Sequence, residues 1–141
     1  MSGSPADRLR RVAPLIEAMG PDGFWLARMI ETYLDSAADG ARLDELLDLV
    51  AAPGGESWWR IARRAERDAA LRALARQTGG NACQVAAMIG RYEGSAWPRD
   101  RALTAAPARY AGTPRQHLFE AFRATDGQVP TSPKQLRRIL G

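Results

Sequence analysis

Cysteine and histidine are almost absent from this chain, which has one of each, Cys83 and His117. One of each cannot supply the four ligands of a tetrahedral zinc site within a single chain. Lysine is nearly missing too: Lys134 is the single exception among 20 basic residues. A GC-rich genome would favour arginine with no functional demand, so where the arginines lie carries the argument and their number does not. No apolar run reaches the roughly 18 residues that a membrane-spanning helix needs, so no membrane partner is expected. The stretch from Met1 to Arg11 has no apolar core behind its charges. A secretory leader is therefore not expected, and a cytoplasmic protein is. Period-two strand patterns bounded by turns are missing. So are a phosphate-binding glycine loop followed by lysine, a paired His-Glu metal motif and a nucleophile elbow. His117 has no carboxylate or nucleophile paired with it in the sequence and reads as a surface or core histidine. Cys83 sits near a helix start and reads as a small semi-buried residue. On these grounds neither an enzyme nor a cofactor is expected.

What is present favours helix. The chain has 141 residues, of which 45% are apolar, enough to bury a core in one domain or two very small ones. Alanine, leucine and arginine dominate. The fold expected is all-α, a compact bundle of about six to seven short helices containing a helix-turn-helix-like unit.

The net charge of +4 hides a division. Residues 1–57 hold ten acids and five bases, a net of −5, whereas residues 58–141 hold six acids and fifteen bases, a net of +9. The clearest break, Ala52-Pro53-Gly54-Gly55, falls just before the change of sign. It separates an acidic helical region, 1–52, suited to interaction or dimerisation, from a basic region, 56–141, suited to a polyanion.

In the acidic region, Ser4-Pro5-Ala6-Asp7 is a helix start. Leu9, Val12, Ala13, Ile16 and Met19 recur at three and four residues behind it. Pro14 threatens to kink or split that helix. After Gly20-Pro21, Asp22 should cap a second helix carrying Trp25, Leu26, Met29, Ile30, Tyr33 and Leu34. That apolar surface is too broad for a lone surface helix, so Trp25, Met29 and Tyr33 are candidates for a protein interface or self-association. A third helix over Leu43, Leu46, Leu47 and Val50 has an acidic outer face of Asp44, Glu45 and Asp48. That face is either solvated or docks a basic partner.

In the basic region, Ser57 should cap a helix with Trp58, Ile61, Ala62, Ala65 and Ala69 on one face and Arg60, Arg63, Arg64 and Arg67 opposite. Such a stripe can follow a phosphate backbone, or it is a solvated face partly neutralised by Glu66. At Leu71 and Leu74 the apolar face swings by nearly half a turn, which predicts a kink or restart near Arg67-Asp68. Asp68 would then cap a short helix with Leu71, Leu74 and Ala75 inward. Thr78-Gly79-Gly80-Asn81 breaks it, and Asn81 caps the next. That next helix puts Val85, Ile89 and Tyr92 on one face. At about 100° per residue, Gln84, Ala87 and Arg91 fall on the other.

Residues 68–91 resemble a helix-turn-helix DNA-binding motif, with no specific family implied. The resemblance lies in Leu74-Ala75 at the helix crossing, the turn glycine Gly79, and the apolar pair Val85 and Met88. The sequence departs from the motif at Gly80, where an apolar residue is usual. The resemblance implies that the second helix enters the major groove of duplex DNA. Asn81, Gln84 and Arg91 would then lie near base edges or the groove rim. Phosphate contacts would come from Arg60, Arg63, Arg64 and Arg67, and from Arg99 and Arg101 in the loop behind Trp97.

Two further helix starts, Thr113-Pro114-Arg115-Gln116 and Ser132-Pro133-Lys134-Gln135, follow the capping-box pattern with proline at the first position. The terminal helix should close the core with Leu136, Ile139 and Leu140. Its Lys134, Arg137 and Arg138 face outward as further candidate phosphate contacts. The function expected is a small DNA-binding protein, a transcriptional regulator or phage-type accessory factor. The alternative is a helical adaptor or inhibitor that binds protein alone.

Overall fold

A computed structural model describes residues 3–141. The protein is all-α: the described residues form eight α-helices and two 3-10 turns and contain no strand. The chain divides into two compact units, Met1–Trp58 and Trp59–Gly141.

The first unit is built on two helices, α1 (Pro5–Glu17) and α2 (Pro21–Ser36). Ser4 and Asp7 close a reciprocal cap: the Ser4 hydroxyl accepts from the Asp7 amide at 3.2 Å, and the Asp7 carboxylate accepts from the Ser4 amide at 3.1 Å. Pro14 does not break α1, which is continuous across it. Its ring lies on an exposed face. Gly20, and not Asp22, is the residue that caps α2; its φ of +110° turns the chain and puts Pro21 at the first helical position. The core of this unit is Ala13, Ala27 and Ile30, flanked by half-buried Leu9, Ile16, Leu26 and Leu34. Val12 and Met19 remain exposed although the periodicity placed them inward. Gly23 is buried where α2 meets α1, and a Cβ there would collide with the Ile16 carbonyl oxygen. Beyond a 3-10 turn at Ala37–Asp39, α3 spans only Leu43–Leu46. It stops short of Val50 because Asp48 takes the left-handed conformation, φ 56°, which no α-helix can carry onward.

The second unit begins with α4, drawn with Trp58 as Trp58–Thr78, an unbroken helix of 21 residues. The restart expected near Arg67-Asp68 does not occur. Asp68 is not a cap; it accepts from the Arg67 Nε at 2.8 Å. The helix resolves its two apolar faces by leaving one uncovered. Leu71 and Leu74 are fully buried, whereas Trp58, Ile61, Ala65 and Ala69 are exposed.

Gly79, at φ +64°, ends α4, and a turn of three residues leads into α5 (Ala82–Ser95). A four-residue helix, α6 (Trp97–Asp100), a 3-10 turn at Ala108–Tyr110, α7 (Pro114–Ala124) and α8 (Pro133–Leu140) follow. Both α7 and α8 start at their prolines, but neither Thr113 nor Ser132 makes a side-chain cap. The Thr113 hydroxyl donates instead to the Tyr110 carbonyl at 2.7 Å, and the Gln116 side-chain oxygen accepts from Gly112 at 3.0 Å. At the far end of α7, Asp126 and Gly127 both have positive φ, and the Gly127 amide reaches back to the Phe122 carbonyl at 2.7 Å. This is the Schellman closure of a helix. The core gathers Leu71, Leu74, Val85, Ile89, Phe119, Phe122 and Leu136, among others, and α8 packs directly on α5. Trp97 lies against Phe122 and Tyr92, with ring centroids 5.3 and 6.4 Å away.

Candidate nucleic-acid interface

The site is organised by the start of α5. Asn81 caps the helix, its Oδ1 accepting from the Gln84 amide at 3.0 Å, while Gln84 Oε1 accepts from the Asn81 amide at 2.8 Å. This reciprocal bond fixes both side chains at the surface and satisfies two amides that the first turn would otherwise orphan. Each amide oxygen retains a second lone pair, and both NH2 groups remain as donors. From there α5 divides cleanly. Ala82, Val85, Ile89 and Tyr92 are buried, while Asn81, Cys83, Gln84, Ala87, Gly90 and Arg91 are exposed. Cys83 is thus at the surface, not semi-buried. Met88 is half-buried, and Ile89 supplies the fully buried position beside Val85. At about 1.5 Å per residue, the 14 residues of α5 span roughly 21 Å.

The arginines fall into separate groups. Arg60 and Arg63 each place a guanidinium 5.2 Å from the centre of the Trp59 ring. This stacking orients both heads while leaving their N–H edges available. Arg63 lies about 22 Å along α4 from the turn and Arg60 about 27 Å, at 1.5 Å per residue. They do not form one patch with α5, and Arg64 belongs to the same distant end of α4. Arg67 is turned inward. Its side chain is 13% exposed, contacts Asp68 at 2.7 Å and donates to the Gln128 carbonyl at 3.3 Å, so it is spent on holding α4 to the turn beyond α7. Arg99 and Arg101 are exposed at the end of α6. Lys134, Arg137 and Arg138 are exposed on α8. In the first unit Trp25 is half exposed, and Met29 and Tyr33 are partly buried.

A buried polar cluster supports the base of α5, and nothing in the sequence pattern singles it out. Asp100 is fully buried, and its Oδ2 accepts from the Tyr110 hydroxyl at 2.7 Å and the Tyr92 hydroxyl at 3.0 Å. Burial alone would raise the pKa of Asp100. The hydrogen bonds from Tyr110, Tyr92 and Arg99 outweigh it and hold the carboxyl below the ordinary range. Burial, then the bond to Asp100, pushes the Tyr92 phenol well above its usual value. The cluster ties α5, α6 and the 3-10 turn together, and Arg109 and Arg115 stack on the Tyr110 ring at 5.1 and 5.8 Å. The only hint in the sequence is an acid two residues after a proline, flanked by arginines, which reads as loop.

His117 is partly buried on α7, its Nδ1 3.7 Å from Glu120. No group of three or more His, Cys, Asp or Glu side chains that could hold a metal ion occurs among the described residues. No helix among them is long and apolar enough to cross a membrane. No family model matches the chain, and no curated protein or solved structure matches it.

Proposed function

We propose that the second unit binds duplex DNA with α5 in the major groove, and that the protein is a transcriptional regulator or phage-type accessory factor. The observation that carries this reading is the exposed face of α5. It follows a three-residue turn, begins with two fixed amide side chains and ends with an arginine. A major groove about 12 Å wide admits one such helix. Asn81 and Gln84 suit adenine, and Arg91 suits guanine. Arg99 and Arg101 behind α5, and Lys134, Arg137 and Arg138 on the helix packed against it, would contact phosphate. Arg60, Arg63 and Arg64 would reach phosphates farther along the backbone. Arg67 drops out of this set because its guanidinium is committed within the unit.

The test is a set of binding isotherms for the full chain on random duplex at 50 and 200 mM salt. If six to ten phosphates are neutralised, affinity should fall by about 10³–10⁵ between them. Gln84→Ala and Arg91→Ala should relax sequence preference, while Arg63→Ala with Arg64→Ala should weaken every sequence alike. Absence of retention on duplex at 50 mM salt would overturn the reading.

A protein contact is favoured by a different observation, the apolar surface of the first unit. Leu15 is 70% exposed, Met19 80% and Trp25 50%. We assign this unit to dimerisation or to a protein partner. Retention of a protein complex by a chain that ignores DNA would make the adaptor reading the better one.

A further inference from the structure

The cavities of the second unit differ in the charge they carry. The groove between α4 and α7 is lined by Arg63 and Arg123 but also by Glu66, Glu120 and Asp126, so its charges largely cancel. The smaller cleft between α5 and the start of α7, about 400 Å³, carries two charged side chains, Arg91 and Arg115, and no carboxylate. Ser95, Tyr92, Met88, Pro114 and Leu118 complete its lining. Among the described residues, neither Arg91 nor Arg115 is paired with an acid. Asp100 lies close by, but it is sealed from solvent with its Oδ2 occupied by the two tyrosine hydroxyls. Glu120, the acid of α7, lines the other groove.

Two exposed guanidinium groups border this open cleft with no acid paired to either, and their N–H edges suit an anion that accepts two hydrogen bonds. Arg115 is held in place by its stack on Tyr110, which lowers the ordering cost of a contact. Arg91 belongs at once to this cleft and to the exposed face of α5, so whatever α5 docks against lies beside the cleft.

We infer that the Arg91–Arg115 cleft seats one backbone phosphodiester of duplex DNA at the rim of the groove that α5 enters. This rests on the DNA-binding reading above and adds to it a phosphate contact, Arg115, for which the sequence pattern gives no signal. The seat fixes the register of α5 on the duplex, since phosphate contacts position a protein whereas base contacts specify. Arg91 then acts at the junction: one edge of its guanidinium serves the phosphate and the other the base rim.

The experiment measures full-length wild type, Arg115→Gln and Arg115→Lys on one duplex across a salt series, with thermal melts of each variant. Arg115→Gln should lower the slope of log affinity against log salt by about 0.9, so that the wild-type advantage shrinks about threefold between 50 and 200 mM. It should weaken random and preferred duplexes equally. Arg115→Lys should restore most of the slope, which a loss of packing on Tyr110 alone would not allow. A single methylphosphonate at the seated position should weaken wild type and leave Arg115→Gln unaffected. If wild type binds with a steep salt slope and Arg115→Gln keeps that slope, the phosphate seat is wrong and the DNA reading survives. If wild type shows no salt-dependent binding to duplex, both fall together.

Discussion

The two units solve the problem of burial in opposite ways. The first closes on Ala13, Ala27 and Ile30, two of them alanines, and leaves Leu15, Met19, Phe24 and Trp25 in solvent. The second buries fourteen apolar or aromatic residues in one cluster, including Leu71, Leu74, Ile89 and Phe122. A core of two alanines and one isoleucine, flanked by half-buried Leu9, Ile16, Leu26 and Leu34, offsets less conformational entropy than the fourteen-residue cluster, so the first unit is the more marginal one. Its uncovered apolar surface is what the proposed protein contact would use. The second unit turns its large apolar side chains inward over most of its length and leaves arginine outward. Apart from the first turns of α4 and Leu103, its exposed large side chains are polar, with bases outnumbering acids.

The sharpest way to break this contrast is to hollow out the larger core. Phe122 is fully buried, edge-on to Tyr92 at 5.0 Å and 5.3 Å from Trp97. Phe122→Ala should cost about 3–5 kcal/mol, measured by chemical denaturation of the full chain. Ile30→Ala in the first unit should cost less, about 2 kcal/mol, the low end of the range for a buried isoleucine, because the other members of its core are alanines. An equal loss on truncating Ile30 would mean that the first unit has more core than Ala13 and Ala27 suggest.

The first unit has instead a backbone weakness. Gly23→Ala puts a methyl group against the Ile16 carbonyl oxygen, which no rotamer change can relieve. The cost should be about 3 kcal/mol, at the upper end of overpacking penalties. Separate melting of the two units under circular dichroism should then become visible, with the first transition displaced and the second unchanged. A single unmoved transition would refute the close approach of α2 to α1.

Acid and base act on the second unit through Asp100. Its folded pKa is depressed, so the stability it contributes is present above the ordinary carboxylate range and is lost as pH falls below about 4. Tyr92 has a raised folded pKa, so its contribution holds at neutral pH and is lost as pH rises above about 10. Asp100→Asn should cost about 2 kcal/mol at pH 7, because it weakens two buried hydrogen bonds. It should also flatten the acid limb of the stability profile. An unchanged acid limb would mean that other carboxylates control acid unfolding.

How far the sequence spoke for these features depended on whether they were local. The caps at Ser4 and Asn81, the turn at Gly79 and the inward face of α5 follow from residues within a few positions of one another, and the structure has them all. Continuity of α4 was not legible. Its two apolar faces argued for a break, whereas the folded chain leaves Trp58, Ile61 and Ala65 exposed. The cap expected at Thr113 failed because Tyr110 and Gly112, just upstream, draw away the side chains of Thr113 and Gln116; the missing cap at Ser132 has no structural explanation. The buried Asp100 and the Arg91–Arg115 cleft depend on α5, α6 and α7 meeting, and no pattern within one helix announces that. For the candidate interface, the α5 residues were readable from periodicity, whereas Arg67 looked like its neighbours until its partners Asp68 and Gln128 were placed.

The smallest effect separates folding from recognition within the second unit. Asn81 does two jobs on the proposed reading: its oxygen caps α5, and its NH2 group faces the groove. Asn81→Ala removes both and should cost about 1 kcal/mol of stability, or about 4–8 °C in melting temperature for a unit of this size. Asn81→Ser keeps a capping oxygen and removes the amide. It should therefore hold stability to within a few tenths of a kcal/mol and still change which duplexes are preferred. Melts and binding measured on the same two variants would place each role on its own axis. If Asn81→Ser matches wild type in both, Asn81 is a cap and nothing more, and base reading would rest on Gln84 and Arg91 alone.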